Sequence, residues 1–230
     1  MRPLSNRSMA SGWAVKSFVR IGGIELGYRM TDWDEMAQRA RSVVESVSAP
    51  QISPFLADWP TLWTKRAVVP ATLPVLRWLP EAADQAPPGR LAALADMLNA
   101  AHTALAWRQT YQPGQIVAHF LERYGWCEIV GLSGPIACDT LACGVLLLGP
   151  QTLYPSHSHV AQELYIPLSG RAEWQRGPGP FVMRGAGEAI VHDPLEPHAM
   201  RTKAAPLLAL YLWRGAGLAE SARLRSSPRP

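Results

Sequence analysis

A segment in the second half of the chain carries three side chains that can bind a metal ion. It reads Y-P-S-H-S-H-V-A-Q-E-L-Y from Tyr154 to Tyr165 and places His157, His159 and Glu163 in the pattern H-x-H-x3-E. Because a strand points every second side chain to one face, the two histidines project together, and a small bend before Glu163 brings its carboxylate to the same point. Two imidazoles and a carboxylate that converge predict a divalent metal site.

A fourth ligand is expected from His198, which follows a short proline-containing turn in D-P-L-E-P-H-A-M-R-T and enters the next strand. The alternative is a set of scattered surface histidines. That alternative is disfavoured because the four ligating side chains keep this spacing between apolar, strand-like runs. The other histidines lie on helix-like or strand-like stretches and are interpreted as satisfied structural groups: they are His102, His119 and His192.

The chemistry of this ligand set is that of a reactive transition metal. Three neutral histidines and a carboxylate suit Fe(II), Mn(II), Ni(II), Co(II) or Zn(II), and such a shell usually leaves positions for water or substrate. Tyr165 lies two residues after Glu163, on the same strand face. The pKa of a tyrosine is ordinarily about 10, and a nearby dication favours the phenolate, so Tyr165 is the candidate general base. On spacing alone, a tyrosine that only fills the barrel is an equal alternative.

The elements that must position these residues change character along the chain. From Trp126, short apolar or alternating runs are separated by Gly and Pro turns, which is typical of a β-barrel. Before that point, hydrophobic residues repeat at helical spacing after Asp32 and again after Pro88. The intervening segment is rich in proline and predicts short helical turns and extended pieces, while residues 115–124 predict a shorter helix.

We therefore predict a mainly β protein with an α-helical N-terminal extension. The expected division is a helical extension over residues 1–125 that packs on the barrel, a β-barrel over residues 126–215 and a flexible tail over residues 216–230. The helices are expected to cover the barrel mouth or to form a homodimer interface.

Composition excludes several classes of protein. The 230 residues carry a formal net charge of +4, with no basic stripe and interleaved aromatics of the kind that binds nucleic acid. No apolar run is long enough to span a bilayer, and the N-terminus lacks the apolar stretch of a secretory signal. The three cysteines lack C-x-x-C spacing and predict buried or idle thiols in a reducing compartment, so we expect a cytoplasmic protein: they are Cys127, Cys138 and Cys143.

The ligand pattern resembles the two conserved motifs of the cupin superfamily, small double-stranded, jelly-roll-like β-barrels that hold a divalent metal, and this resemblance implies such a barrel here. The first motif, H-x-H-x3-E-x6-G, ends at Gly170, and the second, P-x-x-P-H, ends at His198. Four segments together resemble more narrowly the cupin-type dimethylsulfoniopropionate lyases of marine bacteria: A-W-R-Q-T-Y (106–111), F-L-E-R-Y-G-W (120–126), Y-P-S-H-S-H-V-A-Q-E-L-Y (154–165) and P-L-L-A-L-Y-L-W-R-G (206–215).

This resemblance implies an enzyme that splits the zwitterion dimethylsulfoniopropionate into dimethyl sulfide and acrylate. By motif position it implies Tyr165 as the base and Tyr154 and Trp213 as pocket residues. Tyr211, which shares a strand face with Trp213, is a further candidate for holding the sulfonium cation against an aromatic ring. The implied ligands of one divalent transition metal ion are His157, His159, Glu163 and His198.

Two other functions use the same barrel. A cupin Fe(II) dioxygenase would employ the same four ligands and would consume oxygen. A non-enzymatic cupin that binds a small molecule, such as a sensor or storage protein, needs no open metal position. We see no helix-turn-helix pattern that would support a regulator.

Overall fold

The computed structural model describes residues 17–21, 24–28 and 32–225. The chain divides into two compact units, residues 1–32 and 33–230. In the first unit, strand β1 (Ser17–Ile21) pairs antiparallel with strand β2 (Ile24–Tyr28), so this part of the expected helical extension is a β-hairpin. The basic N-terminal residues, on which the expectation of no signal sequence rests, lie outside the described residues.

The helices of the second unit precede its main strands. They are α1 (Trp33–Glu45), α2 (Ser53–Ala57), α3 (Leu79–Asp84), α4 (Arg90–Ala101) and α5 (Ala118–Leu121), with 3-10 turns at Pro50–Ile52, Pro74–Trp78 and His102–Ala104.

Two of the predicted helices are confirmed by α1 and α4. Helix α1 buries one face at helical spacing, from Met36 through Ala40 to Val44. Two of the short turns between α1 and α4 begin at prolines, whose fixed φ suits the first helical position. The helix predicted over residues 115–124 is only four residues long, because Tyr124 already begins a strand and residues 115–117 precede the helix.

The strands of the second unit are β3 (Thr64–Lys65), β4 (Tyr124–Gly131), β5 (Ile136–Ala137), β6 (Leu141–Leu148), β7 (Leu153–Ser158), β8 (Gln162–Ser169), β9 (Arg171–Arg176), β10 (Val182–Gly185), β11 (Ile190–His192), β12 (His198–Thr202), β13 (Leu207–Arg214) and β14 (Arg223–Leu224). A seven-stranded sheet has the order β11-β8-β13-β6-β4-β5-β3, and a five-stranded sheet has the order β10-β9-β12-β7-β14. Apart from β4 and β5, which run parallel, the paired strands are antiparallel.

The two sheets face one another, because side chains from both meet inside. His198 on β12 approaches Glu163 on β8, with the histidine Nε2 3.1 Å from a carboxylate oxygen. Gly170 makes the tight turn between β8 and β9: its φ is +76°, and a Cβ there would overlap the carbonyl oxygen of Pro206. The predicted mainly β fold with a cupin-like barrel and N-terminal helices is confirmed.

The helices cover the outer face of the seven-stranded sheet. Helices α1, α3 and α4 contact β4, β13 and β8, respectively, and the leucines and the isoleucine on the outer faces of β8 and β13 are fully buried: they are Leu164, Ile166, Leu210 and Leu212. The outer faces of β8 and β13 are largely apolar and therefore require a second layer of packing. Cover over the barrel mouth and a homodimer interface stay predictions.

Besides the hairpin of β1 and β2, two short strands lie outside the expected barrel. Strand β3 comes from the segment expected to be helical extension and joins the sheet edge beside β5. Strand β14 lies in the expected flexible tail, yet Arg223 and Leu224 pair with β7. Both are pairs of only two residues, and backbone pairing of that length leaves no hydrophobic pattern in the sequence. Among the residues that the structure describes, none of the helices has the length and apolar character needed to cross a membrane.

Candidate metal centre

Three side chains from different parts of the barrel converge at one buried point. His159 follows β7, Glu163 lies on β8 and His198 begins β12, and their ligating atoms all lie within 4.8 Å of one another. Oε2 of Glu163 is 3.0 Å from Nε2 of His159 and 3.1 Å from Nε2 of His198. Each of these side chains is 1% exposed. The three residues could hold a metal ion.

The outer hydrogen bonds of the two histidines direct their Nε2 atoms toward the carboxylate. Nδ1 of His159 lies 2.9 Å from the carbonyl oxygen of Ala161, and Nδ1 of His198 lies 2.8 Å from that of Glu196. A carbonyl only accepts, so each Nδ1 is the protonated donor, and a neutral ring then presents an Nε2 lone pair inward. Such backbone contacts fix metal-binding histidines in their working tautomer.

A cation fits between these groups. Two nitrogen lone pairs facing one carboxylate oxygen repel it unless a proton or a metal ion lies between them, and Nε2 of His198 has no hydrogen-bond partner within residues 32–225. Burial alone would raise the pKa of Glu163, but attraction to His159 and His198 holds it well below its ordinary range, so the carboxylate is anionic and favours a positive charge between it and the two rings. An anionic oxygen with two imidazole nitrogens suits a divalent transition metal.

His157, the other predicted ligand, lies beside this cluster without joining its three close atoms. Its side chain is buried, its Nδ1 donates to the carbonyl of Pro155 at 2.9 Å, and its ring centroid is 4.2 Å from that of His198. Burial, followed by repulsion from His198, lowers the pKa of His157 well below its ordinary value, which keeps the ring neutral. Its role as a fourth ligand stays a prediction.

Trp213 holds the other oxygen of the Glu163 carboxylate. Its indole Nε1 donates to Oε1 of Glu163 at 2.6 Å, and its ring stacks on His159 with centroids 4.1 Å apart. Trp213 lines a central cavity beside Glu163. Its predicted contact with substrate stays a prediction. The hydrogen bond to Glu163 was not predicted from the sequence. It forms because Trp213 on β13 lies opposite Glu163 on β8 in the sheet register.

Tyr165, the predicted base, lies on the same strand as Glu163 and is 4% exposed. It lines the central cavity and packs against Trp174 at a centroid distance of 4.9 Å. Burial, and then the negative charge of Glu163, raise the pKa of this phenol well above its ordinary value. Tyr165 is therefore protonated at neutral pH unless a cation offsets that charge.

An aromatic cluster of Tyr111, Phe120, Tyr124 and Tyr154 adjoins the histidines. The Tyr154 ring stacks on His157 at 3.9 Å, and its hydroxyl lies 3.3 Å from that of Tyr111 and 3.4 Å from that of Tyr124. Burial raises the pKa of Tyr111 to about 12. The sequence analysis assigned only Tyr154 to the site; the segments at 106–111 and 120–126, which carry part of the family resemblance, contain the other two tyrosines.

His192 was interpreted as a satisfied structural group, and that interpretation is wrong. Its fully buried ring stacks on His198 at 4.0 Å with an interplanar angle of 11°, and neither ring nitrogen has a hydrogen-bond partner within residues 32–225. Burial, with repulsion from His198, lowers the pKa of His192 to about 2. The signal that places it here is register: His192 on β11 lies opposite Glu163 on β8.

The remaining histidines and the cysteines lie apart from the centre. Nδ1 of His102 donates to the carbonyl oxygen of Asn99, 2.7 Å away, and His119 is exposed. All three cysteines fall in the described range and are free thiols, with Cys127 and Cys143 buried as expected. Burial raises the pKa of both of these thiols, which makes them poor nucleophiles.

This central cavity, of about 340 Å³, opens beside the candidate metal ligands. All of the residues predicted to contact substrate line it, together with side chains from β4 and from the segment before α5. Its lining includes the charged side chains of Arg108, Glu128 and Glu220 and the aromatic rings of Trp126, Tyr154, Tyr165, Tyr211 and Trp213. The cavity is of a size that encloses a small organic molecule.

Two facing β-sheets form a cupin-like fold around a buried cluster of two histidines and a glutamate that could hold a metal ion. The chain belongs to the dimethylsulfoniopropionate lyase family, whose model matches residues 47–209. This is a family of carbon–sulfur lyases, and membership favours a lyase over the dioxygenase and the non-enzymatic binding protein.

Individual relatives agree with this assignment. The dimethylsulfoniopropionate lyase DddQ of Ruegeria pomeroyi is 34% identical over 188 residues, which cover 81% of this chain and 92% of the relative. The crystal structure of DddQ from Ruegeria pomeroyi DSS-3 superimposes with a TM-score of 0.75 and covers 84% of this chain and 95% of its own, at 31% identity. A chain from the crystal structures of the DMSP lyases RdDddP and RnDddQII reaches a TM-score of 0.77 at 33% identity, covering 84% of this chain and 97% of its own.

Proposed function

We propose that this protein cleaves dimethylsulfoniopropionate by β-elimination into dimethyl sulfide and acrylate. The observation that carries the proposal is the buried phenol of Tyr165, which shares a strand and a cavity with Glu163 of the metal-ligand cluster. The chemistry requires a proton to leave the carbon next to the carboxylate. A tyrosine beside a bound cation is suited to accept it.

The metal would be held by His159, Glu163 and His198, with His157 as the proposed fourth ligand. When bound there, a divalent ion supplies a Lewis acid at the substrate carboxylate, which acidifies the neighbouring proton. Zinc, iron, manganese, nickel and cobalt all suit this ligand set.

The chain's own residues perform the remaining steps. Tyr165 takes the proton; the electron pair of the broken C–H bond forms the C=C bond of acrylate, and the C–S pair leaves with sulfur as neutral dimethyl sulfide. No acid is needed for this leaving group. Trp213 keeps the Glu163 carboxylate oriented through its 2.6 Å hydrogen bond. Tyr154 and Tyr211 contribute aromatic surface that excludes water from the cavity.

The test is Tyr165→Phe, which removes one hydroxyl and keeps the ring that packs against Trp174. We expect dimethyl sulfide release to fall by at least about 100-fold, the size of a lost general base, while the bound metal per chain stays unchanged. The matched control is Tyr111→Phe, which removes a buried hydroxyl outside the cavity and should retain activity within about threefold. Near wild-type release by Tyr165→Phe would remove the proposed base.

A further inference from the structure

The cavity has a second charged wall on β4, which lies three strands away from β8 and its metal ligand. Glu128, on β4, is half-buried and lines the cavity. Its hydrogen bonds within residues 32–225 all go to Oε1, from the backbone N–H of Ser133 at 2.5 Å and of Gly134 at 2.8 Å and from the Ser133 hydroxyl at 3.1 Å. Oε2 has no such partner, and within that range Glu128 makes no ion pair.

The sheet register brings this carboxylate toward the reacting residues. Glu128 lies opposite Gly144 on β6, Gly144 opposite Tyr211 on β13, and Tyr211 opposite Tyr165 on β8. β4 and β13 are two strands apart, about 10 Å, and the residue between them has no side chain. The Tyr211 ring occupies that space: a Cβ on Gly144 would lie 2.8 Å from the Tyr211 hydroxyl oxygen.

Two aromatic rings flank the same part of the cavity. Trp126, two residues before Glu128 and on the same strand face, meets Tyr211 edge to face at 6.3 Å and 87°. The Trp126 Nε1 donates to the Thr110 hydroxyl at 3.2 Å, which fixes the indole in place. Ring faces with a nearby carboxylate form a surface that attracts an organic cation.

We propose that Glu128, Trp126 and Tyr211 form the subsite for the cationic end of the substrate and so fix its direction in the cavity. This inference rests on the proposed function, which puts the substrate carboxylate at the metal ligands. The sulfonium then points to the β4 wall, where Glu128 supplies the missing opposite charge.

The proposed subsite has a specific kinetic consequence. The sulfur is positively charged in the bound substrate and becomes neutral as the C–S bond breaks. A carboxylate that attracts the cation therefore stabilises the bound substrate more than the transition state. Removing the charge should raise KM without lowering kcat, which separates this role from that of a catalytic residue.

The test is Glu128→Gln, which removes the charge but keeps an oxygen that can accept the hydrogen bonds from Ser133 and Gly134. We expect KM for dimethylsulfoniopropionate to rise about five- to tenfold, the effect of one partly screened charge, with kcat unchanged or higher. The inhibition constant of 4-methylpentanoate, in which an uncharged C–H replaces the sulfonium, should change less than about twofold. The proposed subsite would be overturned if KM for dimethylsulfoniopropionate and the inhibition constant of 4-methylpentanoate rose by the same factor. It would also be overturned if kcat fell while KM stayed unchanged.

Two control variants separate this charge from others at the cavity. Glu220→Gln removes the same charge from a 48% exposed side chain that lies 3.5 Å from Arg223, and it should alter neither constant by more than about twofold. Arg108→Gln tests the reverse orientation, in which the substrate carboxylate lies at the exposed Arg108. If KM and the inhibition constant of 4-methylpentanoate both rise more in Arg108→Gln than in Glu128→Gln, the proposed orientation of the substrate in the cavity is wrong.

Direct binding keeps this inference apart from the proposed function. Dissociation constants for the substrate and for 4-methylpentanoate can be measured in the Tyr165→Phe background, where no turnover is needed. If wild-type protein releases no dimethyl sulfide, the lyase proposal fails on its own. If adding Glu128→Gln to that background leaves the ratio of the two dissociation constants unchanged, the cation subsite fails instead.

Discussion

The candidate metal centre and the aromatic cluster beside it are both buried, yet burial leaves their ionisable groups in opposite charge states. In the metal centre, the anionic Glu163 lies among inward-facing histidine nitrogens, and its pKa is held well below the ordinary range. In the aromatic cluster, burial raises the pKa of Tyr111 and Tyr154, so their hydroxyls stay neutral. The first region therefore suits a cation beside its carboxylate, whereas the second keeps its phenols uncharged.

This contrast predicts opposite pH sensitivities. A carboxyl whose pKa is lower in the folded protein contributes stability above its unfolded pKa of about 4.3, and that contribution is lost as the pH falls. A phenol whose pKa is raised contributes stability below about pH 10, and that contribution is lost as the pH rises. Protonation of the histidines also weakens metal binding in acid.

The largest expected effect is a loss of metal affinity in Trp213→Phe. The substitution keeps a ring against His159 but removes the hydrogen bond to Oε1 of Glu163. Loss of such a contact to a metal-binding carboxylate typically lowers metal affinity by about 10- to 100-fold. Isothermal titration calorimetry of the apo protein with Zn(II) or Mn(II) measures this change in affinity.

The matched control is Trp174→Phe. Trp174 is also buried and packs on Tyr165, but its Nε1 makes no hydrogen bond within residues 32–225. The metal affinity of the Trp174→Phe variant should stay within about threefold of wild type. Equal loss in the two variants would show that ring volume, not the hydrogen bond to Glu163, supports the centre.

A smaller effect is expected in alkali from the aromatic cluster. Since the pKa of Tyr111 is about 12 in the folded protein and about 10 when unfolded, the unfolding free energy should fall by on the order of 2 kcal/mol between those pH values. Urea denaturation at a series of pH values measures this slope. Tyr111→Phe should show a shallower decline, and an unchanged slope would contradict the assignment of this group.

Much of the metal centre could be predicted from the sequence, because its signals are local. His159 and Glu163 lie four residues apart, on either side of the start of β8. His198 directly follows a proline-containing turn. Helices α1 and α4 were likewise predictable from helical periodicity bounded by prolines. These features depend on neighbours along the chain.

The parts that sequence reasoning missed depend on register between distant strands. His192 reaches the centre only because β11 pairs with β8, and Glu128 joins the cavity only through β6 and β13. The short strand at Arg223 and Leu224 is set by backbone pairing with β7. Side-chain composition does not encode such pairings over this separation, since a shift of one residue would send the same side chain to the other face.

The central claim is that the buried histidine and glutamate cluster makes this protein a metal-dependent lyase. The most direct measurement is headspace dimethyl sulfide from purified protein given dimethylsulfoniopropionate, before and after chelation and after restoring Zn(II), Mn(II) or Fe(II). We predict that chelation abolishes release and that at least one of these ions restores it. Full release by protein shown to be free of metal would contradict the account.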